Sequence, residues 1–321
     1  MGVTPQTVLV TGAGGFLGRA VVADILGRGD AVRALVRASQ PGARRDGAET
    51  VALDLAVASA AQLAKVLAGV DVVIHLATAL SGDWSVQERD TLEATRRLTR
   101  AMGAAPNPPR LVLASSIAVY SADAALEGAV IDEDAPLETT PLGRDSYARA
   151  KLAQEQIAQS AGLMLTILRP GAILGPGRVI NAHLGVGIGP VLILLETRGE
   201  VPVVAVSDCA RAFGLAAEGT GAGGVYNILG DACPTRTEYV TALRKGGWPR
   251  GVIPLSWRIL HGLARALAPL GPRLPGLLRP ATLRARMMPV RYSNAHAKSG
   301  LGWHPEQTFE PALRAALEAT P

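Results

Sequence analysis

An apolar segment, Thr7-Val8-Leu9-Val10, runs directly into Thr11-Gly12-Ala13-Gly14-Gly15-Phe16-Leu17-Gly18, and Val21, Val22, Ile25 and Leu26 continue from there at helical spacing. Strand, glycine-rich turn and helix in that order constrain the chain more than any other feature. Gly12 and Gly15 permit a tight turn and close approach of backbone to a pyrophosphate, and Gly18 lets the helix lie against the sheet. The helix N-terminus then offers oriented N–H groups to phosphate oxygens. Glycines alone are weak evidence; flanked by this strand and this helix they mark a dinucleotide site. Phe16 and Leu17, at the start of the helix, are expected to line it.

Short apolar runs at 31–36, 51–53, 70–76, 111–115 and 164–168 alternate with longer helical patterns. Repeated strand–helix–strand units build parallel sheets covered on both faces. The expected fold is therefore α/β, a Rossmann-type doubly wound parallel sheet with a smaller C-terminal substrate-binding cap. Residues 1–170 are expected to form the dinucleotide-binding core and 203–230 to return to it. Residues 171–202 and 231–321 are expected to make most of the cap.

Composition argues against several other classes. The net charge of +5 is too small to point to nucleic acid. The two cysteines, Cys209 and Cys233, and the scattered histidines form neither a metal-ligand spacing nor a disulfide framework. The apolar run at 184–195 contains Gly and Pro and is too short to span a bilayer. The first strand begins within seven residues, without a signal-peptide pattern, so a cytoplasmic protein is expected, a homodimer or a monomer with a small-molecule substrate. One segment stands apart: residues 250–291 carry eight arginines and no acid. Within it, Trp257, Leu260, Leu263, Ala264 and Leu267 follow helical spacing. We read a cap helix over 257–270 whose apolar face turns toward the substrate pocket; peripheral contact with an anionic membrane is the alternative.

The end of the second strand bears on which dinucleotide binds. A carboxylate there hydrogen-bonds the adenosine ribose 2′-OH of NAD, whereas an arginine accommodates the 2′-phosphate of NADP. Here the strand ends Leu35-Val36-Arg37, with Arg44 and Arg45 in the following loop. NADP is therefore expected, with NAD the alternative. Asp54, beside Leu55, is placed to take the adenine amino group or else to cap the helix that begins near Ser59.

Tyr147-Ala148-Arg149-Ala150-Lys151 opens a helical pattern, and a spacing of four sets Tyr147 and Lys151 on one face. A free phenol ionises near ~10, so a neighbouring ammonium and an oxidised nicotinamide are expected to favour its phenolate. Ser116, after the fifth strand, offers a hydroxyl to a substrate oxygen. His75, ending the fourth strand, reads as a packed core residue, and Asp208 reads as a helix cap.

Taken together, the glycine turn, Asp54-Leu55, His75-Leu76-Ala77, Ser115-Ser116-Ile117-Ala118-Val119-Tyr120, the Tyr147 and Lys151 pair and Arg169-Pro170-Gly171 resemble the extended short-chain dehydrogenases, the NAD-dependent epimerase/dehydratase superfamily. The resemblance covers almost the whole chain. It implies Ser116, Tyr147 and Lys151 as the catalytic set, with Tyr147 exchanging a proton while hydride moves to or from the nicotinamide. It also implies that Leu76, Ala77 and Pro170 flank the cofactor. Four departures narrow it. Ile117 and Ala118 replace the acid pair of sugar dehydratases, Ala172 replaces an asparagine that contacts nucleotide-sugars, Thr91 stands where an asparagine is common, and the second strand ends without a carboxylate. These lean toward a net NAD(P)-dependent oxidoreductase acting on the carbonyl or alcohol of a fairly apolar substrate, like the dihydroflavonol-reductase-like and 3β-hydroxysteroid-dehydrogenase-like branches. A nucleotide-sugar epimerase or dehydratase, and a non-catalytic NAD(P)-binding regulator, are the alternatives.

Overall fold

A computed structural model of the chain describes residues 5–37, 47–123, 126–267, 276 and 279–319. Seven parallel strands form the central sheet: β1 (Thr7–Thr11), β2 (Ala31–Val36), β3 (Glu49–Ala52), β4 (Val72–His75), β5 (Arg110–Ala114), β7 (Leu165–Pro170) and β12 (Val225–Ile228). Their order across the sheet is β12-β7-β5-β4-β1-β2-β3. β1 therefore lies between β2 and β4, and the chain winds outward from it in both directions. A crevice opens beyond the carboxyl ends of strands at such a reversal.

Alternation along each strand builds two cores. Val8 and Val10 face a cluster shared with α1 (Phe16–Gly27) and α6 (Val206–Glu218). Leu9 faces the opposite cluster, with α2 (Ala60–Leu67), α4 (Ala94–Gly103) and α5 (Ser146–Gln159). Each fully buried Val or Leu contributes about 1.5–3 kcal/mol, so a register slip of one residue would exchange both faces at once. The doubly wound α/β expectation holds, and additional C-terminal helices form a cap.

The remaining elements surround the carboxyl end of the sheet. β6 (Val130–Ile131) pairs with β14 (Arg291–Tyr292), and β8 (Ala172–Leu174) pairs with β11 (Val203–Ala205). β9 (Gly185–Ile188), β10 (Val191–Leu194) and β13 (Gly251–Pro254) make a small sheet. Leu192 and Leu194 of β10 pack with α7 (Arg236–Lys245) and α11 (Phe309–Glu318) through Tyr239, Leu243 and Leu313. Two further helices, α8 (Trp257–Ala266) and α9 (Pro280–Met287), extend the cap, whereas α10 (Ala295–Leu301) packs through Ala297 and Leu301 against the core beside β12 and α6.

Two expectations are corrected here. Trp257 of α8 packs with Leu195, Leu283 and Met287, so the helix leans on α9, while Leu263 is 56% exposed and Leu267 46%. None of its described apolar positions lines either of the cavities that contain Ser116 and Tyr147, and residues 268–270 of the expected stretch lie outside the described residues. Asp208 sits inside α6, which begins at Val206 behind Ala205. Its carboxylate accepts from the backbone N–H of Glu306 (3.0 Å) and Gln307 (2.9 Å), so it ties down the C-terminal segment rather than capping the helix. No helix among the described residues is long and apolar enough to cross a membrane.

Candidate active site

The glycine turn makes a cradle that side chains would fill. Gly12 has φ 67°, and a Cβ there would lie 3.0 Å from Ala77 N; a Cβ on Gly18 would collide with the Gly12 carbonyl. Gly15 precedes α1 with no side-chain cap, leaving Phe16, Leu17 and Gly18 in the wall of the cleft. That cleft has a volume of about 600 Å³. Gly12, Gly15, Phe16, Leu17, Gly18, Arg37, Asp54, Leu55, Leu76, Ala77, Ser116, Tyr147, Lys151 and Pro170 all line it. A bare helix N-terminus, glycines that admit a close backbone approach and a long cleft at the strand reversal fit a dinucleotide.

The cleft also contains groups that the sequence did not single out, among them Thr78, Ser81, Asp90 and Arg178. Asp90 bonds Arg37 (Nη1 to Oδ2, 3.2 Å), so the Arg37 guanidinium already has an anionic partner. Arg44 and Arg45 lie outside the described residues. Asp54 does not cap α2: its carboxylate accepts from Ala56 N at 2.9 Å, and Ser59 with Gln62 forms the capping box of that helix.

Asp145 caps α5 through Ala148 N, which fixes the first turn carrying Tyr147. Burial raises the Tyr147 phenol above its ordinary range; the Ser116 hydroxyl, hydrogen-bonded to it, pulls the other way, as does Arg286, and the Asp145 charge adds to the rise. The protein's own groups thus favour a neutral phenol, contrary to the expected effect of the lysine. Burial is the largest cause, and Lys151 is occupied elsewhere. Its Nζ lies 5.9 Å from the centre of the Tyr147 ring and donates to Ala114 O (2.7 Å) and Gln154 Oε1 (2.9 Å). Burial lowers Lys151 to about 7, with Glu155 opposing that shift.

A buried chain of hydrogen bonds joins this lysine to the glycine turn. The Thr95 hydroxyl donates to Thr91 O (2.6 Å), so its oxygen accepts from Gln154 Nε2 (3.0 Å) and His75 Nε2 (2.9 Å). His75 Nδ1 must then accept from the Thr11 hydroxyl (2.7 Å), whose oxygen receives the N–H groups of Leu76 (3.1 Å) and Ala77 (3.2 Å). Burial, and secondarily the Lys151 charge, lower His75 to about 3, which matches a neutral core imidazole. Gln154 is therefore held with its oxygen toward Lys151. Gln154→Leu should disfavour the ammonium and move the alkaline limb of the kcat profile to lower pH. Reduced turnover with an unmoved profile would leave Gln154 a packing role alone.

A family model, the NAD dependent epimerase/dehydratase family, matches residues 8–228, and the chain belongs to that family. It is an NAD(P)-binding enzyme acting on CH–OH or C=O groups of a small molecule. It is similar to a 2-alkyl-3-oxoalkanoate reductase of Stenotrophomonas maltophilia, 29% identical over 96% of this chain and 97% of that one. It is also similar to a 3-beta-hydroxysteroid dehydrogenase of Mycolicibacterium neoaurum, 27% identical over 97% and 90%. Among solved structures, MoeE5 in complex with UDP-glucuronic acid and NAD superposes with a TM-score of 0.73 at 23% identity, covering 97% of this chain and 98% of that one. The similar structures that name a bound dinucleotide hold NAD. The expectation of NADP is corrected on that finding; Arg37, on which it rested, is paired with Asp90.

Proposed function

We propose that the chain carries out NAD-dependent hydride transfer at a secondary alcohol or ketone of a small substrate. In this reading Tyr147 is the acid/base, Ser116 holds the substrate oxygen, and Lys151 orients cofactor and phenol. One observation carries it: Ser116 and Tyr147 line both the 600 Å³ cleft and a second cavity of about 230 Å³. They form a shared wall between a dinucleotide and whatever the second cavity takes. NAD, when bound, supplies the hydride donor or acceptor.

The second cavity is walled by Ile117, Ala118, Tyr120, Ile131, Ala172 and Ala285, with Ser121, Arg144, Asn181, His183 and Arg286 as polar groups. Burial, reinforced by the charges of Arg236 and Arg286, lowers His183 to about 3, so it is neutral. A mostly apolar wall and a protonated phenol suit reduction of a ketone flanked by hydrocarbon. The relatives named for an oxoalkanoate and a hydroxysteroid support the same reading. We assign residues 171–202 and 231–321 mainly to the substrate side, since Asn181, His183, Arg286 and Tyr292 come from them, although Ala297, Leu301 and Trp303 pack into the core.

A second reading is a nucleotide-sugar epimerase or dehydratase. The family description and the similar solved structures of UDP-glucose 4-epimerases lean that way. Ile117, Ala118 and Ala172 lean against it. The experiment presents purified protein and NADH with a panel of 3-oxo acids and 3-oxosteroids, and separately presents protein and NAD+ with UDP-hexoses. Ketone-dependent NADH oxidation supports the first reading. Interconversion of hexose epimers without net NADH change supports the second, and failure to bind either nicotinamide form overturns both.

A further inference from the structure

Arg37 follows directly on β2, which carries no acid at its carboxyl end, and this by itself suits a 2′-phosphate. Across the cleft, α3 (Trp84–Gln87) passes into a π-helical turn, Glu88–Glu93, before α4 begins. The widened turn sets neighbouring residues to different tasks. The Thr91 hydroxyl accepts from Ala79 N at 3.0 Å, fixing the loop after β4. Asp90 instead lines the cleft, beside Arg37, Leu53, Asp54 and Leu55.

The Asp90 side chain is 8% exposed and holds two cations: Arg37 through Oδ2 at 3.2 Å and Arg89 through Oδ1 at 2.7 Å. We propose that Asp90 selects the cofactor, supplying the carboxylate that β2 lacks and engaging the guanidinium that would otherwise attract a 2′-phosphate. A ribose 2′-OH can donate to a carboxylate. A phosphate dianion has no proton to donate; it is repelled by Asp90 and Asp54 and must displace an existing ion pair to reach Arg37. The selecting acid thus arrives from a helical turn 53 residues beyond Arg37.

This inference rests on the proposed use of the cleft for a nicotinamide dinucleotide. The test is the ratio of NADPH to NADH affinity, read by the fluorescence of each reduced cofactor on titration with the intact protein. Asp90→Asn keeps the size and removes the charge, freeing Arg37 and Arg89. The ratio should rise roughly 10- to 100-fold, the range for one charge-assisted hydrogen bond. Adding Arg37→Ala to that variant should cancel most of the gain. If Asp90→Asn does not fold, Asp90→Ser tests the same loss of charge. Wild-type protein that binds neither cofactor overturns the proposed use of the cleft. Wild-type protein that binds NADH, with a ratio unchanged in the Asp90 variant or a gain that survives Arg37→Ala, overturns the role of Asp90 alone.

Discussion

Tyr147→Phe is expected to keep NAD binding and to lose about 10²–10⁴-fold in turnover, the range for removing a general acid/base. The substitution takes away one hydroxyl and leaves the ring in the shared wall between the two cavities. That hydroxyl is the group Ser116 contacts, and the protein's own groups hold it neutral. A neutral phenol can donate its proton to a ketone oxygen as hydride arrives. Because burial raises its ionisation, the phenol keeps its proton through neutral pH, so an alkaline limb that begins near neutrality belongs to Lys151 and not to Tyr147. NADH titration and steady-state kinetics on the same preparation separate the two effects. Turnover near that of the native protein would remove Tyr147 from the mechanism.

The cofactor cradle was legible because every signal in it is local. A strand, three glycines and a helical stripe occupy fewer than thirty consecutive positions, and the physics of each is set by its neighbours in sequence. The alternation of apolar runs with helical patterns announced a parallel sheet in the same way, but not the order of its strands. What sequence could not supply was direction and pairing. A spacing of four places Tyr147 and Lys151 on one face, yet it does not reveal that Lys151 reaches back to the Ala114 carbonyl. Arg37 was visible, but its partner Asp90 lies in a π turn that no hydrophobic period announces. The spacing of Trp257, Leu260 and Leu263 correctly marks a helix with an apolar side. It does not say which element that side meets, and Leu263 proves largely exposed.

The second large effect concerns the pair that joins α5 to the sheet. Glu155, one turn beyond Lys151, is 1% exposed and receives Arg169 through Nη2 to Oε2 (2.8 Å) and Nε to Oε1 (3.0 Å), and the Ser115 hydroxyl donates to it. Arg169 also donates to the Tyr120 hydroxyl (3.1 Å), which donates in turn to Asn227 Oδ1 (2.7 Å). These bonds connect α5 with β5, β7 and β12, next to Ser116 and Pro170. Glu155→Ala leaves a buried guanidinium without its counter-charge, which typically costs about 3–5 kcal/mol. A urea titration should show a lower midpoint with little change in slope, since the exposed surface is nearly the same. Replacing both partners, Glu155→Leu with Arg169→Met, removes the stranded charge and should recover much of the loss, because an apolar pair of similar volume often matches a buried ion pair. Catalysis should not recover with it, since the bond that fixes Ser115 beside Ser116 is gone. A single-variant loss below about 1 kcal/mol, the range of an exposed pair, would mean that water reaches Arg169. Recovered activity in the double variant would mean that Ser116 is placed by the sheet alone.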